Sequence, residues 1–197
     1  MLNKDFIRVF PDFLDDQDVM NLNLFLDQQG PVNIKEIYFL EKLNDAEVEP
    51  APNFEIKNKT IKAAMLDAEK KVIDHITNVY FPELGYEAEL KWSRPLELIR
   101  WGSTARLDDH TDAPQPTDDV LVHVSALIYI NDDYIGGEIN FPEYDVEIKP
   151  KSNDLIVFSG SMTHNVGYIG EKTIEDQDQR RFTMPFFFDF EVKPYSE

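Results

Sequence analysis

The chain contains no cysteine. Disulfide staples and thiolate metal sites are therefore excluded, and nothing in the composition points to an oxidising compartment. Basic residues are scarce: 19 Lys and Arg stand against 38 Asp and Glu, a formal net charge of −19. Binding a phosphate backbone needs clustered cations, so nucleic acid is disfavoured as a partner. The acid excess suits solubility or a basic partner. No hydrophobic run approaches the ~20 residues of a membrane span. The N-terminal stretch MLNKDFIRVFPDFLDD is broken by charges and Pro11, where a signal peptide needs an apolar centre. The expectation is a soluble, cytoplasmic protein without a membrane partner, its oligomeric state left open. Histidine is also rare, with only His75, His110, His123 and His164 present.

The length of 197 residues suits one domain spanning 1–197. A chain of this size buries roughly 70% of its unfolded surface, so it can hold a core without staples. Phe6, Ile7, Val9 and Phe10 can form a short strand. Asp15 and Asp16 offer an N-cap for a helix carrying Val19, Leu22 and Leu26, with Gly30 and Pro31 as its stop. Residues 32–43 suit a strand or a helix, and Asn44 to Lys59 reads as a loop. Thr60 to Tyr80 is the longest expected helix, with Ile61, Ala64, Met65, Ala68, Val72, Ile76 and Val79 on one stripe and Pro82 as its end. His75 falls off that stripe, as a surface histidine would.

From residue 86 the apolar period changes to two. Strands are expected at 87–92, 97–101, 120–130, 137–141, 146–149, 154–158, 163–169 and 181–192. Short strands after two helices point to an α+β, mainly β domain, a jelly roll or barrel with helices on one face. Residues 1–85 would be helical support and 86–192 the jelly-roll core. The charged stretch 170–179, GEKTIEDQDQ, is a candidate mobile loop.

One stretch offers metal chemistry. In WGSTARLDDHTD, residues 101–112, His110 and Asp112 share parity and can point at one ion. The triplet alone is weak in so acidic a chain. Two ligands hold a divalent iron poorly, and the histidine far enough along in a suitable setting is His164, in SGSMTHNVG. Two imidazoles and one carboxylate leave three positions open, the arrangement diagnostic of non-heme Fe(II) oxygenases. Further on, Arg181 and Thr183 share one face of RRFTMPFFFDF with Pro185 and Phe187. An inward arginine in an apolar barrel needs a carboxylate. No interior acid presents itself, whereas a ligand carboxylate clamped by the guanidinium would serve, with Thr183 adding a hydroxyl hydrogen bond. The alternative leaves Arg180 and Arg181 both as surface charges, although parity admits only one of them inside.

Taken in order, His110-Thr111-Asp112, LIYIND at 127–132, GGEINF at 136–141, PKSNDLIVFSGSMTHNV at 150–166 and RRFTMPFFF at 180–188 form a pattern. It resembles the Fe(II)/2-oxoglutarate-dependent dioxygenase superfamily, and most closely its prolyl 4-hydroxylase-like branch. The resemblance covers about residues 96–190. It implies a double-stranded β-helix (jelly roll) core with N-terminal helices packed on one sheet, and iron on His110, Asp112 and His164. It implies that Arg181 binds the distal carboxylate of 2-oxoglutarate and that Tyr129 gives that carboxylate a phenol hydrogen bond. The cofactors implied are Fe(II), 2-oxoglutarate and O2, with room for ascorbate. The reaction implied is hydroxylation of a peptidyl proline, another protein side chain or a small molecule, with release of succinate and CO2.

The chain departs from the family pattern at three points. Arg181 lies further beyond His164 than the usual basic residue, so Arg180 remains an alternative. Asn153 replaces a usual Gly, and the tyrosine expected near the H-x-D strand is Trp101 or is missing. His123 has the parity of Tyr129 and reads as a hydrogen-bonded core or rim histidine. Trp92, Arg94, Arg100 and Arg106 flank the expected mouth, as substrate contacts or as rim charge and packing. The rival readings are a metal-free jelly-roll binding module and a cupin-like enzyme that uses no keto acid.

Overall fold

The computed structural model describes residues 3–26, 35–40, 53–113, 121–170 and 180–194. The expected helix stop at Gly30–Pro31, the stretch 44–52 and the loop 171–179 lie outside the described residues. Among those described there are twelve strands: β1 (Arg8–Phe10), β2 (Lys35–Phe39), β3 (Asn53–Glu55), β4 (Tyr86–Ser93), β5 (Glu97–Trp101), β6 (Leu107–His110), β7 (Leu121–Tyr129), β8 (Ile139–Phe141), β9 (Val146–Ile148), β10 (Leu155–Ser159), β11 (His164–Val166) and β12 (Arg181–Pro194). The helices are α1 (Asp16–Asn23), α2 (Lys59–His75) and a short α3 (Phe81–Glu83).

The strands form two sheets. The larger runs β1-β10-β7-β12-β5-β2-β3, with β4 paired to the far half of β12, and the smaller runs β6-β11-β8-β9. Along β12 the period of two decides which layer each side chain joins. Phe182, Met184, Phe186, Phe188 and Phe190 meet α1 and α2 in one core, together with Leu22, Ile61, Met65 and Val72. The opposite face of the large sheet packs on the small sheet through Tyr129, Ile139, Phe141, Ile156 and Phe158. Helices, large sheet and small sheet are thus three layers, a jelly roll with its helices on one sheet.

Local chemistry explains the helix ends. Asp15 caps α1 by accepting from the Asp18 N–H, and Lys71 of α2 ties the two helices by pairing with Asp15 and Asp18. Asn58 caps α2 by accepting from Thr60 and Ile61. Pro82 does not end the helical run, contrary to expectation. A π-helical turn at Ile76–Tyr80 follows α2, and Pro82 then occupies the first turn of α3, where its missing N–H has no intrahelical partner to lose. Gly85, at φ 85°, is the actual stop. The ambiguous stretch after residue 32 contains a strand, β2, and the expected loop before α2 contains β3, which pairs parallel with it. The N-terminal part therefore adds three strands to the large sheet as well as its helices.

Candidate active site

His110 ends β6 and His164 begins β11, and the two are direct partners across the antiparallel pair. Their ring centroids lie 4.2 Å apart. Each ring is fixed from behind by a carbonyl: His110 Nδ1 meets Asp108 O at 2.8 Å, and His164 Nδ1 meets Met162 O at 3.0 Å. An Nδ1–H donated to a carbonyl leaves Nε2 as the bare lone pair. Both Nε2 atoms face Asp112, each 3.5 Å from one of its oxygens. One ligand atom from each of the three residues falls within 4.8 Å of the others, close enough to share an ion.

Asp112 is held by two bonds. Its N–H donates to Gly160 O at 2.9 Å, and the Ser125 hydroxyl donates to Oδ2 at 2.6 Å. Ser125 lies on β7 of the large sheet, so this bond links the two sheets. A Cβ at Gly160 would come within 3.1 Å of Ser125 Oγ, which explains the glycine there. Burial pushes the Asp112 carboxyl up, but the neighbouring His110 and His164 rings and the Ser125 hydroxyl bring it below the ordinary carboxylate value. Burial lowers the His164 imidazole, an effect that Asp112 partly offsets. A carboxylate and a neutral imidazole are ligand forms that metals require.

These residues line a cavity of about 190 Å³ that also receives Trp101, Arg181 and Thr183. Arg181 is 1% exposed. Its guanidinium carbon lies 5.1 Å from the Trp101 ring centroid and 5.7 Å from that of Tyr129, and one nitrogen donates to Gly137 O at 3.3 Å. Its Nε and the Tyr129 hydroxyl are buried without a hydrogen-bond partner, as is the Tyr134 hydroxyl. Burial raises the pKa of both phenols, so both remain protonated donors. Trp101 Nε1 donates to Thr183 Oγ1 at 3.2 Å, leaving the Thr183 proton to serve another acceptor.

The structure brings His110, Asp112, His164, Arg181, Tyr129 and Thr183 to one region between the sheets, and it places Arg181 inside in preference to the half-buried Arg180. Asn153 adopts φ 65° and its side chain bonds both the N–H and the O of Leu14. Arg94 stacks on Phe187 in the mouth, its guanidinium carbon 5.1 Å from the ring centroid. Arg106 is a rim charge paired with Asp108 at 3.1 Å. Arg100 is not at the mouth: it is buried on the opposite face of β5, 3.5 Å from Glu36. His123 pairs with Asp189 across β7 and β12. His75 is not simply a surface residue, for it is half-buried against Phe10 and Phe13. Ser125, Tyr134, Asp189 and Glu97 escaped the sequence reading. Glu97 is an interior acid, 4% exposed, that lines the same cavity. The signal for Ser125 was its parity with Tyr129 on β7.

Comparison with known proteins agrees with this architecture. Residues 96–189 match the family model described as the 2OG-Fe(II) oxygenase superfamily. No curated protein matches the chain in sequence. A Pseudomonas putida prolyl-4-hydroxylase superposes with TM-score 0.56 at 16% identity, covering 92% of this chain and 91% of that one. A Trichoplax adhaerens prolyl hydroxylase, solved with a hypoxia inducible factor oxygen degradation domain peptide, gives TM-score 0.58 at 14% identity over 93% and 83% of the two chains. HygX from Streptomyces hygroscopicus, solved with nickel and 2-oxoglutarate, gives 0.53 at 12% over 94% and 82%. At these identities the structural likeness speaks to fold, and the family match speaks to residues 96–189. Residues 96–189 thus match the 2OG-Fe(II) oxygenase superfamily, a family that uses Fe(II), 2-oxoglutarate and O2.

Proposed function

We propose that the chain is a dioxygenase that hydroxylates a peptidyl proline or another protein side chain in preference to a small molecule, with release of succinate and CO2. One observation carries this: two bare Nε2 atoms and one carboxylate converge beside a buried guanidinium that has no carboxylate partner among the described residues. A donor set of two imidazoles and a carboxylate fits Fe(II) and leaves positions open. His110, Asp112 and His164 would hold the iron. Arg181, Tyr129 and Thr183 would hold the distal carboxylate of 2-oxoglutarate, and the unpartnered Arg181 Nε and Tyr129 hydroxyl fit such an acceptor. When bound, the iron and 2-oxoglutarate supply the oxidising chemistry.

The chain's own residues do the positioning. Asp108 O and Met162 O fix the imidazole tautomers, and Ser125 fixes the Asp112 carboxylate. Trp101 turns the Thr183 hydroxyl proton away from itself and towards a ligand. Leu127, Ile139, Val166 and Pro185 wall the cavity with apolar surface and limit water. The peptide complex of the Trichoplax enzyme supports a peptide substrate here.

The test is succinate release from 2-oxoglutarate in the presence of Fe(II) and O2, alongside mass spectrometry of proline-containing peptides for a gain of one oxygen. Iron-dependent succinate release is expected in the wild type and background levels in Asp112→Ala. Unchanged turnover in Asp112→Ala, or no 2-oxoglutarate consumption by the wild type, would refute the proposal.

A further inference from the structure

The inner face of β12 carries a ladder of side chains whose rungs are set by strand register. Arg181 lies opposite Trp101, Thr183 opposite Tyr129 and Ile99, Phe187 opposite Ser125, and Asp189 opposite both His123 and Trp92. The Ser125 rung is the one that holds Asp112. The Asp189 rung is the next one, about 7 Å further along at ~3.4 Å per residue. Asp189 and Trp92 are direct partners in the pairing of β12 with β4, just before a register shift. The Ser125 and Asp189 rungs, Trp92 included, line a second cleft of about 530 Å³, which shares Arg94, Asp112 and Phe187 with the smaller cavity.

Nothing in the proposed reaction uses the Asp189 rung, yet its chemistry is specific. One carboxylate oxygen of Asp189 meets His123 Nδ1, while the side chain remains 26% exposed at the cleft. Trp92 beside it is 50% exposed, unusual for so large an apolar group. A carboxylate next to an open indole face accommodates an ammonium or guanidinium, by a charge-assisted hydrogen bond and a cation–π contact. A neutral group would gain neither, and an anion would meet like charge. The net charge of −19 adds a long-range field of the same preference. Arg94, the cation in the same cleft, is drawn onto the Phe187 ring.

We infer that Trp92, Asp189 and His123 form a recognition subsite for a cationic group of the substrate, a primary ammonium or a guanidinium, held one rung from the residue that fixes Asp112. That the cleft's occupant is the substrate rests on the oxygenase reading above. The carbon to be hydroxylated would then lie a few bonds from the cation, on the same residue or its neighbour. Trp92 and Asp189 touch the cation, while His123 positions Asp189.

The test is calorimetric titration of the full chain with two blocked proline-containing pentapeptides that differ only in one lysine replaced by norleucine. N-acetyl-lysine methylamide serves as a third probe. The lysine peptide is expected to bind about tenfold more tightly, the scale of one charge-assisted bond with a partly exposed cation–π contact. The preference should shrink with added salt. It should vanish in Asp189→Asn and partly return in Asp189→Glu, with thermal melts confirming that both variants fold. Equal or absent binding of the two peptides by the wild type overturns the inference without any variant, and so does a preference that survives in Asp189→Asn. Tight binding of the methylamide assigns a small amine and a peptide-only preference assigns a peptide-borne cation; either upholds the subsite. Because binding is read without turnover, failure of the oxygenase reading shows separately, as missing succinate.

Discussion

Replacing Arg181 by Met separates a ligand-binding cation from a structural one. Arg181 is 1% exposed, with Nε unpartnered and, among the described residues, one hydrogen bond, 3.3 Å to Gly137 O. A structural arginine at that depth would be paired, and its loss would cost about 3–5 kcal/mol. An unpaired one contributes little: a cation–π gain of about 2 kcal/mol is offset by about 1–3 kcal/mol for the unmet donor. Arg181→Met should therefore leave the ligand-free melting temperature nearly unchanged. With 2-oxoglutarate the two proteins should diverge. At a hundredfold excess over Kd the wild type gains about 2.7 kcal/mol by mass action, or roughly 5–11 °C at ~2–4 °C per kcal/mol. The variant should gain at most about 0.9 kcal/mol at that concentration if its affinity falls 30-fold, and almost nothing if it falls 1000-fold. Losing a buried charged pair costs about 2–4 kcal/mol, so the KM for 2-oxoglutarate should rise roughly 30- to 1000-fold. The assay is differential scanning fluorimetry with and without 2-oxoglutarate, paired with succinate kinetics. A large loss of ligand-free stability, or a KM within threefold of wild type, would refute the reasoning.

Three further outcomes follow from the geometry. Ser125→Ala removes the 2.6 Å bond to Asp112 and should weaken Fe(II) about 10- to 100-fold in a metal titration; unchanged affinity would mean that the backbone alone positions the carboxylate. His75 packs on Phe10 and Phe13, and burial depresses its pKa below 6.5, so the unfolded chain binds the proton more readily. Its stabilising contribution is present above about pH 6.5 and falls as pH drops through the folded-state value. Melts between pH 7.5 and 5.5 should therefore show a shallower decline in His75→Leu than in wild type. Asn153→Gly keeps the left-handed turn but loses both bonds to Leu14. About 1–3 kcal/mol lost, plus about 0.5–1 kcal/mol for glycine's freer unfolded chain, outweighs about 1 kcal/mol of relieved strain and should lower the denaturation midpoint, and an unmoved midpoint would contradict that account.

The parts of the site legible in the sequence were those governed by a period. Alternation along RRFTMPFFF puts Arg181, Thr183, Pro185 and Phe187 on one face and Phe182 on the other, and β12 has that arrangement. The equal parity of His110 and Asp112 likewise survived folding. What stayed hidden depends on contacts between distant elements. Ser125 looks like any strand serine until β7 passes behind Asp112. Glu97 and Arg100 lie three residues apart on β5, hence on opposite faces, and only the sheet's layering decides that Glu97 faces the cavity while Arg100 faces Glu36. Pro82 misled because a π turn before it restarted the helix, a backbone event that apolar spacing does not record. The three-residue β3 is too short to show any period.

The central claim, one metal ion shared by His110, Asp112 and His164, is tested most directly by anomalous diffraction from crystals of the full chain grown with Fe(II) under anaerobic conditions. The account predicts a single strong iron peak bonded to Nε2 of both histidines and to the Asp112 carboxylate. An iron peak held by other side chains, or none between these three at saturating metal, would contradict it.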